Sequence, residues 1–196
     1  MKWVLLAVTV AGGCGEPPWP RVVPDPAPPD APVRVTEVAS ARSEDAGRPS
    51  TESLDEEALA ALAPILAEND KIHAALVADT LAGVAAAAGA VASAAQAARA
   101  FVKDEALVGY LSDIEKSAAK VGSSDDIEVV RAAYGDLSKP MVALASAVPA
   151  VRGARKVFFC PMTKGYPKWL QAEPSLRNPY YGSKMLTCGE ESEWSE

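Results

Sequence analysis

Residues 80–99 read TLAGVAAAAGAVASAAQAAR, and their spacing sets the fold class of the whole chain. Alanine has the highest intrinsic helix propensity. Leu81, Val84, Ala88, Val91, Ala95 and Ala98 recur at intervals that line one side of a helix. Small residues on that side let neighbouring helices approach closely. A membrane-spanning helix packed through small residues is the competing reading of the same run. Alanine is too weakly hydrophobic for that, and an export signal at the N-terminus already accounts for a link to the membrane.

Outward from this run the pattern stays helical. Upstream, SLDE at 53–56 offers Ser53 as N-cap with Glu56 as its capping-box partner. Leu59, Leu62, Leu66, Ile72 and Leu76 then predict a helix over 55–77, with a kink or interruption at Pro64. Asp79 is the expected N-cap of the alanine-rich helix. Downstream, Leu107, Leu111, Ile114, Ala118 and Val121 predict a third helix over 104–121, with Asp104 near its cap. Ser124 is read as the cap of a fourth, over 125–148, carried by Ile127, Val130, Tyr134, Leu137, Met141, Leu144 and Val148, with a kink at Pro140. Four amphipathic helices on short polar turns predict an all-α fold, an up-down four-helix bundle over residues 54–150.

The N-terminus reads differently. Lys2 precedes the apolar stretch WVLLAVTVA, too short to span a bilayer, and AGGC ends in Cys14. This is the layout of a lipoprotein signal, with 1–13 removed and the Cys14 thiol acylated. An ordinary secretory peptide or a short anchor is the plainer alternative. Residues 14–53 are rich in proline and small polar residues, cannot bury enough apolar surface to offset their ordering entropy, and read as a disordered tether. The chain is thus expected at the periplasmic side of the cell envelope, and Gly15 after the lipidated cysteine leans towards the outer membrane. With 26 acidic against 19 basic residues, net charge −7, its electrostatics argue against nucleic acid as a partner.

The region 151–196 breaks the helical period. KVFFC at 156–160 predicts a short strand, with room for one β-hairpin, and Lys168 to Ala172 suggest one helical turn. Two cysteines and two methionines fall here, as Cys160-Pro161-Met162 and Met185…Cys188-Gly189. Thiolates and thioethers are soft donors, so Cys160, Met162, Met185 and Cys188 together would suit Cu(I) or Ag(I). Zinc would need a histidine or carboxylate to complete the site, and His73 is the single histidine. The alternative is a Cys160–Cys188 disulfide, worth about 3.5 kcal/mol in the chain-entropy model. Methionines also fill gaps beside rings such as Trp169, Tyr180 and Tyr181. No catalytic constellation is legible: a cysteine nucleophile needs a base and an orienting group, and neither a phosphate loop nor a nucleophile elbow occurs.

The tail motif FFCPM, then a glycine and WL, then LRNPYYGSKMLTCGE, resembles the end of a domain-of-unknown-function family of periplasmic proteins. That family occurs alone and fused to the C-terminus of adaptor subunits of heavy-metal efflux pumps of the CusB/CzcB kind. IHAALVADTLAGVAAAA resembles its first two helices, so the resemblance spans about Leu59 to Glu190. It implies a helical domain in the envelope, an association with copper or silver handling, and efflux-pump or other envelope proteins as partners. The motif positions carried over are Cys160, Pro161, Met162, Gly165, Trp169, Asn178, Pro179, Tyr180, Gly182, Met185, Cys188 and Gly189. The adaptor's hairpin, lipoyl and barrel regions have no counterpart here.

Overall fold

The computed structural model describes residues 54–194. The signal at 1–13, Cys14, the tether and the Ser53 cap lie outside the described residues. Within them the chain is mostly helical, with a small three-stranded antiparallel sheet. No described helix is long and apolar enough to cross a membrane.

Helix α1 spans Glu56–Val77, α2 Val84–Ala98, α3 Glu105–Val121 and α4 Ile127–Ala147, followed by the single turn α5, Pro149–Arg152. Each long helix packs on the next in sequence, and α1 also touches α4. The buried faces are the ones the spacing predicts. Leu62, Leu66, Ile72 and Leu76 of α1, Val84, Ala88, Val91, Ala95 and Ala98 of α2, and all five predicted positions of α3 are buried. The small-residue face of α2 brings α3 close, since a Cβ added at Gly122 would stand 3.4 Å from the Ala88 Cβ. Neither Pro64 nor Pro140 interrupts its helix. Pro64 and the preceding Ala60, whose carbonyl loses its partner, are both exposed, so water can satisfy the freed group.

Three cap assignments shift. Asp55 caps α1, accepting the Ala58 N–H at 2.8 Å. Asp126, not Ser124, caps α4, accepting from Glu128 at 2.8 Å, while Ser124 holds the Asp126 N–H one step earlier. The alanine helix begins four residues later than expected, at Val84 behind Gly83 in a left-handed conformation. Asp79 does not cap it, because the helix begins well beyond it, at Val84, and its carboxylate is turned to other partners.

The sheet runs β2-β1-β3, with β1 Lys156–Phe159, β2 Lys168–Gln171 and β3 Glu190–Ser192. Lys168–Gln171 is therefore a strand and not the predicted helical turn. Trp169 sits opposite Phe158 in the β1–β2 register, their rings stacked at 5.9 Å, and both Trp169 and Leu170 are buried. A helical turn would lose that cross-strand pairing. The third strand, the polar Glu-Glu-Ser, carries no strand signal of its own. It pairs because β1 offers it a free edge, held also by Lys156 reaching Glu191 at 2.7 Å.

Candidate functional site

Cys160 directly follows β1, and Cys188 stands two residues before β3. The register pairs Phe159 with Glu190, so one further step brings Cys160 alongside Gly189, next to Cys188. The two Sγ atoms lie 2.8 Å apart as free thiols, across 28 residues of sequence. Cys160 is fully buried and Cys188 partly exposed.

Local structure on each side fixes this meeting. The Cys160 N–H donates to the Pro167 carbonyl at 3.1 Å, closing the β1–β2 loop, and the Thr163 N–H donates to the Cys160 carbonyl at 3.2 Å. Gly165, at φ 88°, supplies the left-handed turn within that loop. On the other side, buried Asn178 is the organising residue. Its Nδ2 donates to the Cys188 carbonyl at 2.8 Å, its Oδ1 accepts the Tyr180 N–H at 2.9 Å, and its backbone N–H donates to the Leu186 carbonyl at 2.8 Å. Pro179 and Tyr180 follow within the same turn. The Tyr180 hydroxyl donates to the Lys168 carbonyl at 2.6 Å, its ring lies edge-on to Trp169 at 5.7 Å, and the Tyr181 hydroxyl donates to the Met162 carbonyl. The aromatic motif residues thus pack the tail.

The two thiols differ in acidity. Burial works to raise the Cys160 thiol, but the hydrogen bonds from Cys188 and from the Met162 backbone hold it below the usual cysteine value. The hydrogen bond to Cys160, with burial, holds the Cys188 thiol above it.

A second cluster, which the sequence reading missed, ties this tail to the helices. Arg131 of α4 is buried, and its guanidinium donates to the Pro179 carbonyl at 3.1 Å, the Leu76 carbonyl at 3.0 Å and the Asp79 carboxylate. Asp79 in turn accepts the Ser183 N–H at 2.9 Å. The Ser183 hydroxyl, the Arg131 guanidinium and that N–H together hold the Asp79 carboxyl well below the usual range. Gly182, at φ 54°, lies against both side chains, and a Cβ there would collide with the Asp79 carboxylate and the Arg131 guanidinium. No motif announces this node: an arginine in an amphipathic helix and an aspartate in a turn both read as surface residues.

His73 does not approach the thiols as a ligand. Its Nε2–H donates to the Arg177 carbonyl at 2.9 Å, and burial lowers its pKa from the usual 6.5. Gln171, fully buried at the end of β2, accepts from the Trp169 indole at 3.0 Å and the Arg177 N–H at 3.1 Å. It also donates to the Glu173 and Ser175 carbonyls at 2.7 and 2.6 Å, shaping the 172–177 loop. Two open surface clefts, of about 450 and 420 Å³, are lined by Lys116, Lys120, Lys139 and Tyr166 among others, and by Asp70, His73, Glu173 and Arg177; a cysteine lines neither.

As a soft-metal centre the donor set is the two thiols, with Met162 exposed and Met185 partly so. Among the described residues no group of three or more His, Cys, Asp or Glu side chains could hold a metal. Two thiolates on one tetrahedral ion with bonds near 2.3 Å would stand about 3.8 Å apart. The observed sulfurs are closer, so they would have to separate by roughly 1 Å to admit an ion between them.

Residues 65–153 match a family described as protein of unknown function (DUF3347). The match begins within α1 and ends just past α5, so it lies on the helices and not on the tail motif. No curated protein and no solved structure matches the chain.

Proposed function

We propose that this chain is a non-catalytic binding module of the cell envelope, lipid-anchored through Cys14 on the 14–53 tether. Its four long helices form an up-down bundle that serves as platform, and its tail is stapled by a Cys160–Cys188 disulfide. The observation that carries this reading is the approach of the two sulfurs to 2.8 Å, closer than a shared metal ion would leave them. In an oxidising compartment a buried thiol beside a second thiol is readily bridged. The bridge would hold an irregular tail against the helices, leaving the bundle surface to meet an envelope partner such as an efflux-pump component.

A second reading is favoured by one feature, the solvent-exposed Met162, 59% exposed, two residues from the low-pKa Cys160. Here the reduced pair takes Cu(I) or Ag(I), with Met162 and Met185 assisting, to buffer the ion or pass it on. Mass spectrometry of the exported protein with and without reductant, followed by anaerobic Cu(I) titration against a competing chelator, separates the two. A bond present as purified, with no copper uptake after reduction, is the outcome expected for the disulfide module. Free thiols as purified and stoichiometric Cu(I) uptake would overturn it in favour of the metal reading.

A further inference from the structure

We infer that the oxidised Cys160–Cys188 pair undergoes one-sided thiol exchange, in which an external thiolate attacks the Cys188 sulfur and expels Cys160. This rests on the disulfide reading above and adds the site and direction of its chemistry. Cys160 has no exposed surface, being enclosed at the end of β1 beside the Trp169 and Phe158 stack. Cys188 is partly exposed, between exposed Thr187 and exposed Glu190, with Pro161 and Met162 exposed on the neighbouring loop. A thiolate arriving from solvent therefore meets Cys188 alone.

The chemistry of the leaving group agrees with the geometry. Exchange proceeds by attack on one sulfur along the S–S axis, and the thiol of lower pKa leaves faster. The incoming thiolate forms a bond to the Cys188 Sγ, the bond between the two cysteines breaks, and its electron pair goes to the Cys160 Sγ. In that mixed disulfide the Cys188 Sγ has no hydrogen to donate, so the Cys160 thiolate is received by the Met162 backbone N–H and the Thr163 and Asn178 side chains, groups that lower the Cys160 thiol in the reduced pair. A second external thiol then attacks the mixed disulfide at its outer sulfur. The balance is one protein disulfide and two external thiols giving the dithiol and one external disulfide. The reductant is a thiol, either a small molecule or a dithiol protein of the envelope; Met162, 59% exposed and two residues from Cys160, offers an apolar contact for the latter.

The test uses the oxidised full-length chain under native conditions. It is treated in one arm with 2-mercaptoethanol, which carries no charge beyond that of its reacting thiolate, and in the other with a dithiol oxidoreductase lacking its resolving cysteine. Acid-quenched time points are mapped by tandem mass spectrometry. Adducts on Cys188 are expected to exceed those on Cys160 by at least about tenfold in both arms. Equal adducts, an excess on Cys160, or a native bond that neither reagent opens would overturn the inference. A protein-thiol adduct without a small-thiol adduct would assign the exchange to a docked partner. The single variants Cys160→Ser and Cys188→Ser give an independent reading through their rates with an aromatic disulfide. Cys188 should react at least about tenfold faster than Cys160 in folded protein, with the gap closing in denaturant, and equal rates in folded protein would overturn the inference. A chain that never forms the Cys160–Cys188 bond would sink the disulfide reading itself, and the serine variants would still decide which thiol is reachable.

Discussion

At Gly189 the backbone adopts φ 134°, and a Cβ there would stand 2.6 Å from the Phe159 carbonyl oxygen and 3.2 Å from the Trp169 ring. The obstacle is backbone of the adjoining strand, which cannot swing aside. Gly189→Ala is expected to cost about 2–3 kcal/mol in urea unfolding and to slow formation of the Cys160–Cys188 bond, scored by free-thiol assay. Arg131 makes its contribution through buried hydrogen bonds to two carbonyls and one carboxylate. Arg131→Met should cost about 2–4 kcal/mol, and leave the 178–189 segment more open to hydrogen exchange than α3. His73 sets a pH dependence. Its pKa is lowered in the folded state, so the unfolded chain binds the proton more readily, and stability falls as pH drops through the usual 6.5 towards the folded value. Asp79, also depressed, contributes stability that is full above its usual 3.8 and is lost below it as pH falls through the folded value. In denaturation series between about pH 7 and 5, His73→Gln, which keeps an N–H for the Arg177 carbonyl, should flatten the slope, whereas Asp79→Asn should leave that interval unchanged.

At the scale of elements, the helices follow their local chemistry closely, and small corrections at their ends are informative. Asp126→Ala should cost about 1 kcal/mol, because it removes the carboxylate that accepts from Glu128 and Val129, whereas Ser124→Ala should cost less than half as much. The close approach of α2 and α3 depends on Ala88 having only a methyl group. Ala88→Leu is expected to destabilise by about 1–3 kcal/mol through overpacking against Gly122, measured by thermal or chemical unfolding. The four helices were legible because amphipathic spacing and capping act within a few residues. The short strand at 156–159 was legible too, from its β-branched and aromatic run. Lys168–Gln171 was misread because its five-residue neighbourhood is ambiguous, and only the pairing of Trp169 with Phe158 decides it. The strand Glu190–Ser192 was invisible, since its polar residues take strand conformation from the edge of β1.

At the scale of the molecule, oxidation of the thiol pair should raise stability by about 3.5 kcal/mol over the reduced chain, visible as a reductant-sensitive transition that Cys160→Ser and Cys188→Ser both abolish. The motif positions Asn178, Gly182, Trp169 and Tyr180 were marked from sequence, but not their tasks. Asn178 holds the Cys188 carbonyl, Gly182 makes room for the Asp79–Arg131 node, and the two aromatics pack against each other. The node itself escaped because Asp79 and Arg131 are 52 residues apart, the first read as a helix cap and the second as one charge on an amphipathic helix. By itself the sequence determined the helical elements, their buried faces and the existence of a distinct cysteine-bearing tail, because hydrophobic periodicity, propensity and capping are encoded over one or two turns. The meeting of Cys160 and Cys188 was expected from the sequence, as a shared soft-metal site or a disulfide; only the tertiary structure decided that one is enclosed and the other reachable, and that Arg131 anchors the tail. Those outcomes depend on strand register and on side chains meeting across long stretches of sequence, where no local spacing specifies the partner.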